Sequence, residues 1–319
     1  MKRDLVRPIH GIITPLVTPL TEQGQLDLEG LQRLIAHVTF GGVHGLFILG
    51  TTGEGPSLCR KIQESVIRHT SQYVDGDLPV FVGITHPSLN ESLSLSCTAA
   101  DAGCDAVVVA PPYYFDLQQQ EFITYCRRLS QESPLPVVLY NMPAVTGISI
   151  SPETVRQLVV EEAIVGIKDS SGDLEYFREL LSIGKTHSDF PVIVGPEHLL
   201  AETLALGGVG GVTGGANIWP DLFVKLYEAV LDGASDHVSQ LAELVSRLGQ
   251  IYTVGAPSVS ATVARTKTAI SILGLCGDNM AAPIVRTNEQ QRRKIESFLE
   301  DLDILDMGPT GHRRYILSL

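Results

Sequence analysis

The 319-residue chain predicts an α/β fold, a (β/α)8 TIM barrel with a C-terminal helical extension. Eight apolar runs of strand length recur along most of it. They are nearly continuous rather than alternating, as in parallel strands covered on both faces. Amphipathic segments with helix start and stop signals lie between them. About eight such β/α units favour a barrel over a doubly wound sheet, which offers fewer strands in this length and a glycine fingerprint after the first one.

In order, the runs are GIITPLVTP from Gly11, GLFILG from Gly45, LPVFVGI from Leu78, DAVVVAPP from Asp105, LPVVLYNMP from Leu135, AIVGIKDS from Ala163, FPVIVGPE from Phe190 and the glycine-rich GVGGVTGGA from Gly208. Between the fifth and sixth, Ser151 suits an N-cap with Pro152 at the first helical position, while Gly103 and Gly207 read as helix stops. Helices are also expected to start near Ser57 and near His198. The strand signal stops after ANIWPDLFVKLYEAVLDG, and DHVSQLAELVSRLGQIY, SVSATVARTKTAISILGL and NEQQRRKIESFLEDL read as helices. The expected division is a barrel over residues 1–233 and a helical region packed on it over 234–319. The tail DMGPTGHRRYILSL begins with turn residues and ends apolar, so it is expected to pack on a neighbour or to be mobile.

Apolar residues at 44% and charged residues at 18% suit a soluble enzyme, and no charge-free apolar run is long enough to span a bilayer. The start MKRDLVRPIHGIITP lacks an apolar stretch before a cleavage site, so a cytoplasmic location is expected. Five cysteines without CxxC spacing imply neither a disulfide framework nor a zinc site, and no HExxH or comparable cluster suggests another metal. A net charge of −13 without a basic, aromatic-laced stripe argues against nucleic acid. An anionic ligand must therefore be attracted locally, by backbone N–H groups or a few placed side chains.

Lys168 lies in IVGIKDSSG, at the C-terminal end of the sixth expected strand, where barrel enzymes build their active sites. Burial there disfavours the ammonium, and the neutral amine attacks a carbonyl carbon to form a Schiff base. The position also suits a lysine that snorkels to solvent or pairs with Asp169. After the second strand, LGTTGEGPS sets the hydroxyls of Thr51 and Thr52 beside N–H groups freed by Gly50 and Gly53, a cradle for a carboxylate. A strand-to-helix turn calls for glycines in any case. Tyr140 in LYNMPAVTG ends the fifth strand and suits proton transfer or packing. Tyr113 and Tyr114 follow the fourth, as loop aromatics against a partner or as a second proton relay. Together these sets converge on one face of the barrel.

Taken in order, GIITPLVTP, GTTGE, PPYY, YNMP, GIKDSSG and the glycine-rich eighth run resemble the dihydrodipicolinate synthase and N-acetylneuraminate lyase family of class I aldolases, over nearly the whole chain. The resemblance implies that Lys168 forms the Schiff base with pyruvate or another 2-oxo acid and that Tyr140 transfers protons above it. It further implies that Thr51, Thr52 and Gly53 hold the pyruvate carboxylate, with Thr51 also in the proton relay, and that Val212 lies beside the bound 2-oxo acid. Tyr114 would complete the relay across a subunit contact, hence a homo-oligomer, dimer or tetramer. No metal or organic cofactor is implied.

Departures from the family pattern bear on the substrate. Dihydrodipicolinate synthases carry an arginine two residues after the proline of YNxP, where it pairs with the carboxylate of the aldehyde substrate. This chain has Val145, matching the aliphatic residue of the sialic acid lyases, and the exchange is not conservative. Those lyases place two acids after strand seven to bind sugar hydroxyls; here the positions hold Glu197 and His198, and Gly214 replaces a lyase serine. Glu197 equally suits a favourable charge in the first turn of a helix. Ser170 is placed to bond a substrate hydroxyl. The expected activity is a Schiff-base aldolase, a carbon–carbon lyase that cleaves or condenses a 2-oxo-3-deoxy sugar acid to pyruvate and an aldehyde. Dihydrodipicolinate synthase, N-acetylneuraminate lyase and a Schiff-base 2-oxo-3-deoxy acid dehydratase are the near alternatives. A silent barrel that binds a 2-oxo acid is the alternative from another class.

Overall fold

The computed structural model describes residues 9–187 and 190–305. Its eight strands are β1 (Gly11–Pro15), β2 (Gly45–Ile48), β3 (Val80–Gly83), β4 (Ala106–Val109), β5 (Val137–Asn141), β6 (Ile164–Asp169), β7 (Val192–Val194) and β8 (Gly210–Val212). They close into a parallel barrel in chain order, with β1 paired to β8. Around it run α1 (Leu28–Phe40), α2 (Arg60–Val74), α3 (Leu89–Ala102), α4 (Gln119–Glu132), the single turn α5 (Pro143–Thr146), α6 (Pro152–Leu158), α7 (Leu174–Thr186), α8 (Leu200–Ala205) and α9 (Pro220–Leu231). Three more helices follow, α10 (Ser235–Leu248), α11 (Val259–Ile272) and α12 (Glu289–Asp301).

The continuous apolar runs have a two-sided cause. Ile12, Val107, Leu139 and Ile167 pack outward against the helices, while Ile13, Phe47, Phe81, Val108 and Val138 fill the barrel interior. The strands are shorter than the runs. β1 ends at Pro15, yet Leu16, Val17 and Leu20 prolong its apolar run because they pack in the core beyond the strand.

Helix boundaries follow local chemistry. Ser151 Oγ accepts from Thr154 N, with Pro152 opening α6, and α3 ends at Gly103 in the left-handed conformation (φ 87°). The helix expected near Ser57 begins at Arg60, after a 3-10 turn over Gly55–Ser57, and the one expected near His198 begins at Leu200, after a turn over Glu197–Leu199. Pro56 and Pro196 fix φ at these entries and favour a tight turn ahead of each helix.

Residues of the last three helices, among them Leu241, Val245, Ile270, Ile295 and Leu299, belong to the same buried cluster as Leu222 and Phe223 of α9, so the C-terminal region is packed onto the barrel. The tail from Asp306 onward, and the start up to Pro8, lie outside the described residues.

Candidate active site

Parallel pairing sets Tyr140 beside Lys168 and Asn141 beside Asp169 at the C-terminal ends of β5 and β6. Tyr140 packs with the interior set, and Lys168 faces the same central space. Asn141 and Asp169 form an outer clamp. Asn141 Nδ2 donates to Asp169 Oδ1 at 2.8 Å, and Asn141 Oδ1 accepts from Ile150 N at 3.0 Å. Ser171 gives Asp169 two more bonds, N to Oδ1 at 3.0 Å and Oγ to Oδ2 at 2.9 Å. Burial raises the Asp169 carboxyl above its ordinary range, and these donors oppose the rise. Asp169 thus bonds to its neighbours and not to Lys168. Nor does Lys168 snorkel, being only 7% exposed.

Lys168 Nζ stands 4.1 Å from the centroid of the Tyr140 ring and 5.1 Å from that of Phe47. The Tyr140 hydroxyl lies 3.3 Å from Thr51 Oγ1. Burial alone pushes this phenol up. The Lys168 charge, with hydrogen bonds to Thr51, Ser170 and Lys168, outweighs that effect and leaves it below its ordinary value.

Above these groups opens a cavity of about 640 Å³. Thr51, Thr52, Tyr140, Lys168, Ser170, Glu197, His198 and Val212 all line it. Three sequence-derived residues do not. Gly53 is buried beneath the loop, where its carbonyl accepts from Thr18 Oγ1 at 2.7 Å. Val145 is 46% exposed and borders a smaller neighbouring cavity with Thr51, Tyr113 and Tyr140. Tyr114 is 87% exposed, with its backbone in the left-handed region (φ 95°) and its ring edge-on to Phe115 at 5.2 Å. It contributes nothing to the cavity wall, whereas Tyr113 approaches Thr51 and Tyr140 through the smaller cavity.

Glu197 opens a 3-10 turn, but its carboxylate is held elsewhere. It accepts from Gly215 N, and from the Tyr252 hydroxyl at 3.3 Å. Burial pushes its pKa up to about 7 against the Gly215, Tyr252 and Gly214 donors. Gly195, just before it, leaves room for Ser170: a Cβ there would lie 2.0 Å from Ser170 Oγ.

The far wall was missed in the sequence. Ser246, Gln250, Tyr252, Thr253, Thr262, Val263 and Thr266 all come from the C-terminal region. Arg265 holds this wall in place by donating to the carbonyls of Tyr252 and Ala256, each at 2.6 Å. A usable signal was the polar run RTKT, Arg265 to Thr268, which is buried throughout within α11. Such a run demands partners inside the protein.

Among the described residues no group of three or more His, Cys, Asp or Glu is arranged to hold a metal ion, and no helix is long and apolar enough to cross a membrane. The profile of the dihydrodipicolinate synthetase family matches residues 8–302. A 4-hydroxy-tetrahydrodipicolinate synthase of Methanopyrus kandleri is 31% identical over 94% of this chain and 98% of its own. The structure of a dihydrodipicolinate synthase from Bacteroides thetaiotaomicron is 44% identical with a TM-score of 0.88, covering 92% of this chain and 99% of that one. YagE of Escherichia coli K12, named a putative 2-dehydro-3-deoxy-D-gluconate aldolase, is 31% identical over 92% of this chain and 97% of its own. Its crystal structure in complex with pyruvate superposes with a TM-score of 0.88 at 30% identity, covering 92% of this chain and 99% of that one. With its barrel, the lysine at the end of β6 and a profile match over nearly its whole length, the chain belongs to the dihydrodipicolinate synthetase family.

Proposed function

We propose that this carbon–carbon lyase is a class I aldolase that cleaves, or forms, a 2-oxo-3-deoxy sugar acid through a Schiff base between Lys168 and pyruvate. The amine adds to the 2-oxo carbon and water leaves, giving an iminium. Tyr140, acting as its phenolate, then takes the proton of the C4 hydroxyl as the C3–C4 bond breaks. The bonding electrons pass into the iminium to form an enamine, and the aldehyde departs. Protonation of the enamine at C3 and hydrolysis of the imine return pyruvate and the free lysine. The lowered Tyr140 phenol and its contact with Thr51 support the proton-transfer role. Thr51 and Thr52 hold the carboxylate, and Val212 packs beside the bound 2-oxo acid.

The observation that carries the substrate assignment is the charge of the wall. Among the described lining residues Lys168 is the only lysine or arginine, so no guanidinium awaits a second carboxylate. The far wall instead offers hydroxyl and amide groups from Ser246, Gln250, Tyr252, Thr253, Thr262 and Thr266, which suit a polyhydroxylated aldehyde. The exposure of Tyr114 and its positive φ support a homo-oligomer in which this side chain enters the site of a second copy. The five free cysteines suit a reducing compartment, and we place the enzyme in the cytoplasm.

The test is a pyruvate-release assay. 2-Keto-3-deoxygluconate and 2-keto-3-deoxypentonate are expected to yield pyruvate with kcat/KM at least tenfold above that for condensation of pyruvate with aspartate semialdehyde. The reverse order would assign the enzyme to the synthase reaction.

A further inference from the structure

The loop bearing Thr51 and Thr52 is fixed from the far end of the chain. It turns through two left-handed non-glycine residues, Leu49 and Glu54, both at φ 57°, a conformation that costs energy and persists only when the surroundings hold it. Glu54 is the residue that is held. Its carboxylate is buried, with Oε1 2.5 Å from Lys267 Nζ on α11 and Oε2 accepting from Ala281 N at 2.7 Å. The Lys267 side chain is likewise wholly buried, and its Nζ donates to the Asn279 carbonyl at 2.5 Å. Backbone bonds from Glu54 N to Thr51 O (3.1 Å) and from Gly55 N to Gly50 O (3.2 Å) carry this anchorage into the threonine turn.

We infer that Lys267 and Glu54 are positioning residues for the 2-oxo acid carboxylate: their buried ion pair clamps the loop so that the Thr51 and Thr52 hydroxyls keep their aim at the space beside Lys168. The inference rests on the reading above, in which that loop holds the carboxylate. Neither residue lines the cavity, so their effect is exerted through the loop. Its signature is therefore selectivity for the carboxylate rather than the reactivity of the amine.

The experiment traps the Lys168 imine with borohydride using two carbonyl probes, pyruvate and acetone, the second lacking any carboxylate. Lys267→Met removes the clamp but orphans a buried charge. Glu54→Gln combined with Lys267→Met leaves no buried charge unpaired and is the better folded control. In the double variant the pyruvate concentration for half-maximal trapping is expected to rise at least tenfold, while that for acetone stays within twofold of wild type. Unchanged pyruvate trapping in a folded double variant, or equal losses for both probes, overturns the clamp and leaves the aldolase reading standing. Absence of pyruvate trapping in the wild-type protein overturns that reading and the clamp with it.

Discussion

Tyr140 and Lys168 are register partners on adjacent strands, and the lysine Nζ stands 4.1 Å from the centre of the tyrosine ring. Adjacency in the ladder thereby sets side by side the amine and the phenol to which the proposed reaction gives imine formation and proton transfer. No loop intervenes at either residue, so their separation is set by the sheet itself.

This arrangement separates imine formation from proton transfer. Tyr140→Phe keeps the ring over Lys168 and removes the hydroxyl. Turnover is expected to fall about 10²–10⁴-fold, the usual contribution of a positioned acid–base group, while borohydride trapping of pyruvate on Lys168 persists. Loss of trapping and turnover together would mean that the phenol acts before the iminium forms.

The outer clamp between Asn141 and Asp169 holds the two strand ends in register. Asn141→Ala deprives the Ile150 N–H of its partner in a buried place and takes from Asp169 Oδ1 one of its two donors, Ser171 N remaining. The expected loss is about 2–3 kcal/mol of unfolding free energy, read by urea denaturation. A change within 0.5 kcal/mol would show that water replaces the amide at little cost.

Ser170 and Gly195 are sterically coupled, since a Cβ at position 195 would overlap the serine hydroxyl. Gly195→Ala is expected to lower kcat/KM at least tenfold by displacing Ser170. In that background Ser170→Ala should cost nothing further, although it costs activity in the wild-type background. Additive losses across the double-mutant cycle would contradict the coupling.

Glu197 gives the fold a pH dependence of definite sign. Its pKa rises on folding from 4.5 to about 7, so between those values the folded chain keeps a proton that the unfolded chain has lost. Stability therefore falls as pH rises through that window and levels off above it. The size is up to roughly 3 kcal/mol. Comparing wild type with Glu197→Gln by chemical denaturation at pH 5 and pH 8 isolates this part: the wild type should lose more stability across the step than the variant, and equal changes would contradict the assignment.

Much of this was legible in the chain before it was folded. The eight strands could be read because apolar residues serve both the interior and the helix layer, and the lysine of GIKDSSG stood out as a charge inside such a run. Tyr140, Thr51 and Thr52 were legible through their motifs. The far wall was not, because Tyr252, Thr262 and Thr266 reach the cavity only after α10 and α11 fold back over the barrel mouth. The partner of Glu54 was equally hidden: Ala281, one of its two anchors, lies 227 residues downstream, and no local period announces such a contact. Gly53 was read as a ligand contact from its place in the motif; it is buried within the loop, outside the cavity lining, with its carbonyl bonded to Thr18. Val145, read as standing where the synthases carry an arginine, stands apart from the main cavity wall and borders the smaller one.

The central claim is that Lys168 is the nucleophile. Borohydride reduction in the presence of pyruvate, followed by peptide mass mapping, tests it most directly. The account predicts one stable adduct, on the peptide carrying Lys168 and absent from Lys168→Ala. A folded wild-type protein that yields no adduct at any pyruvate concentration, or yields it on another lysine, would contradict the account.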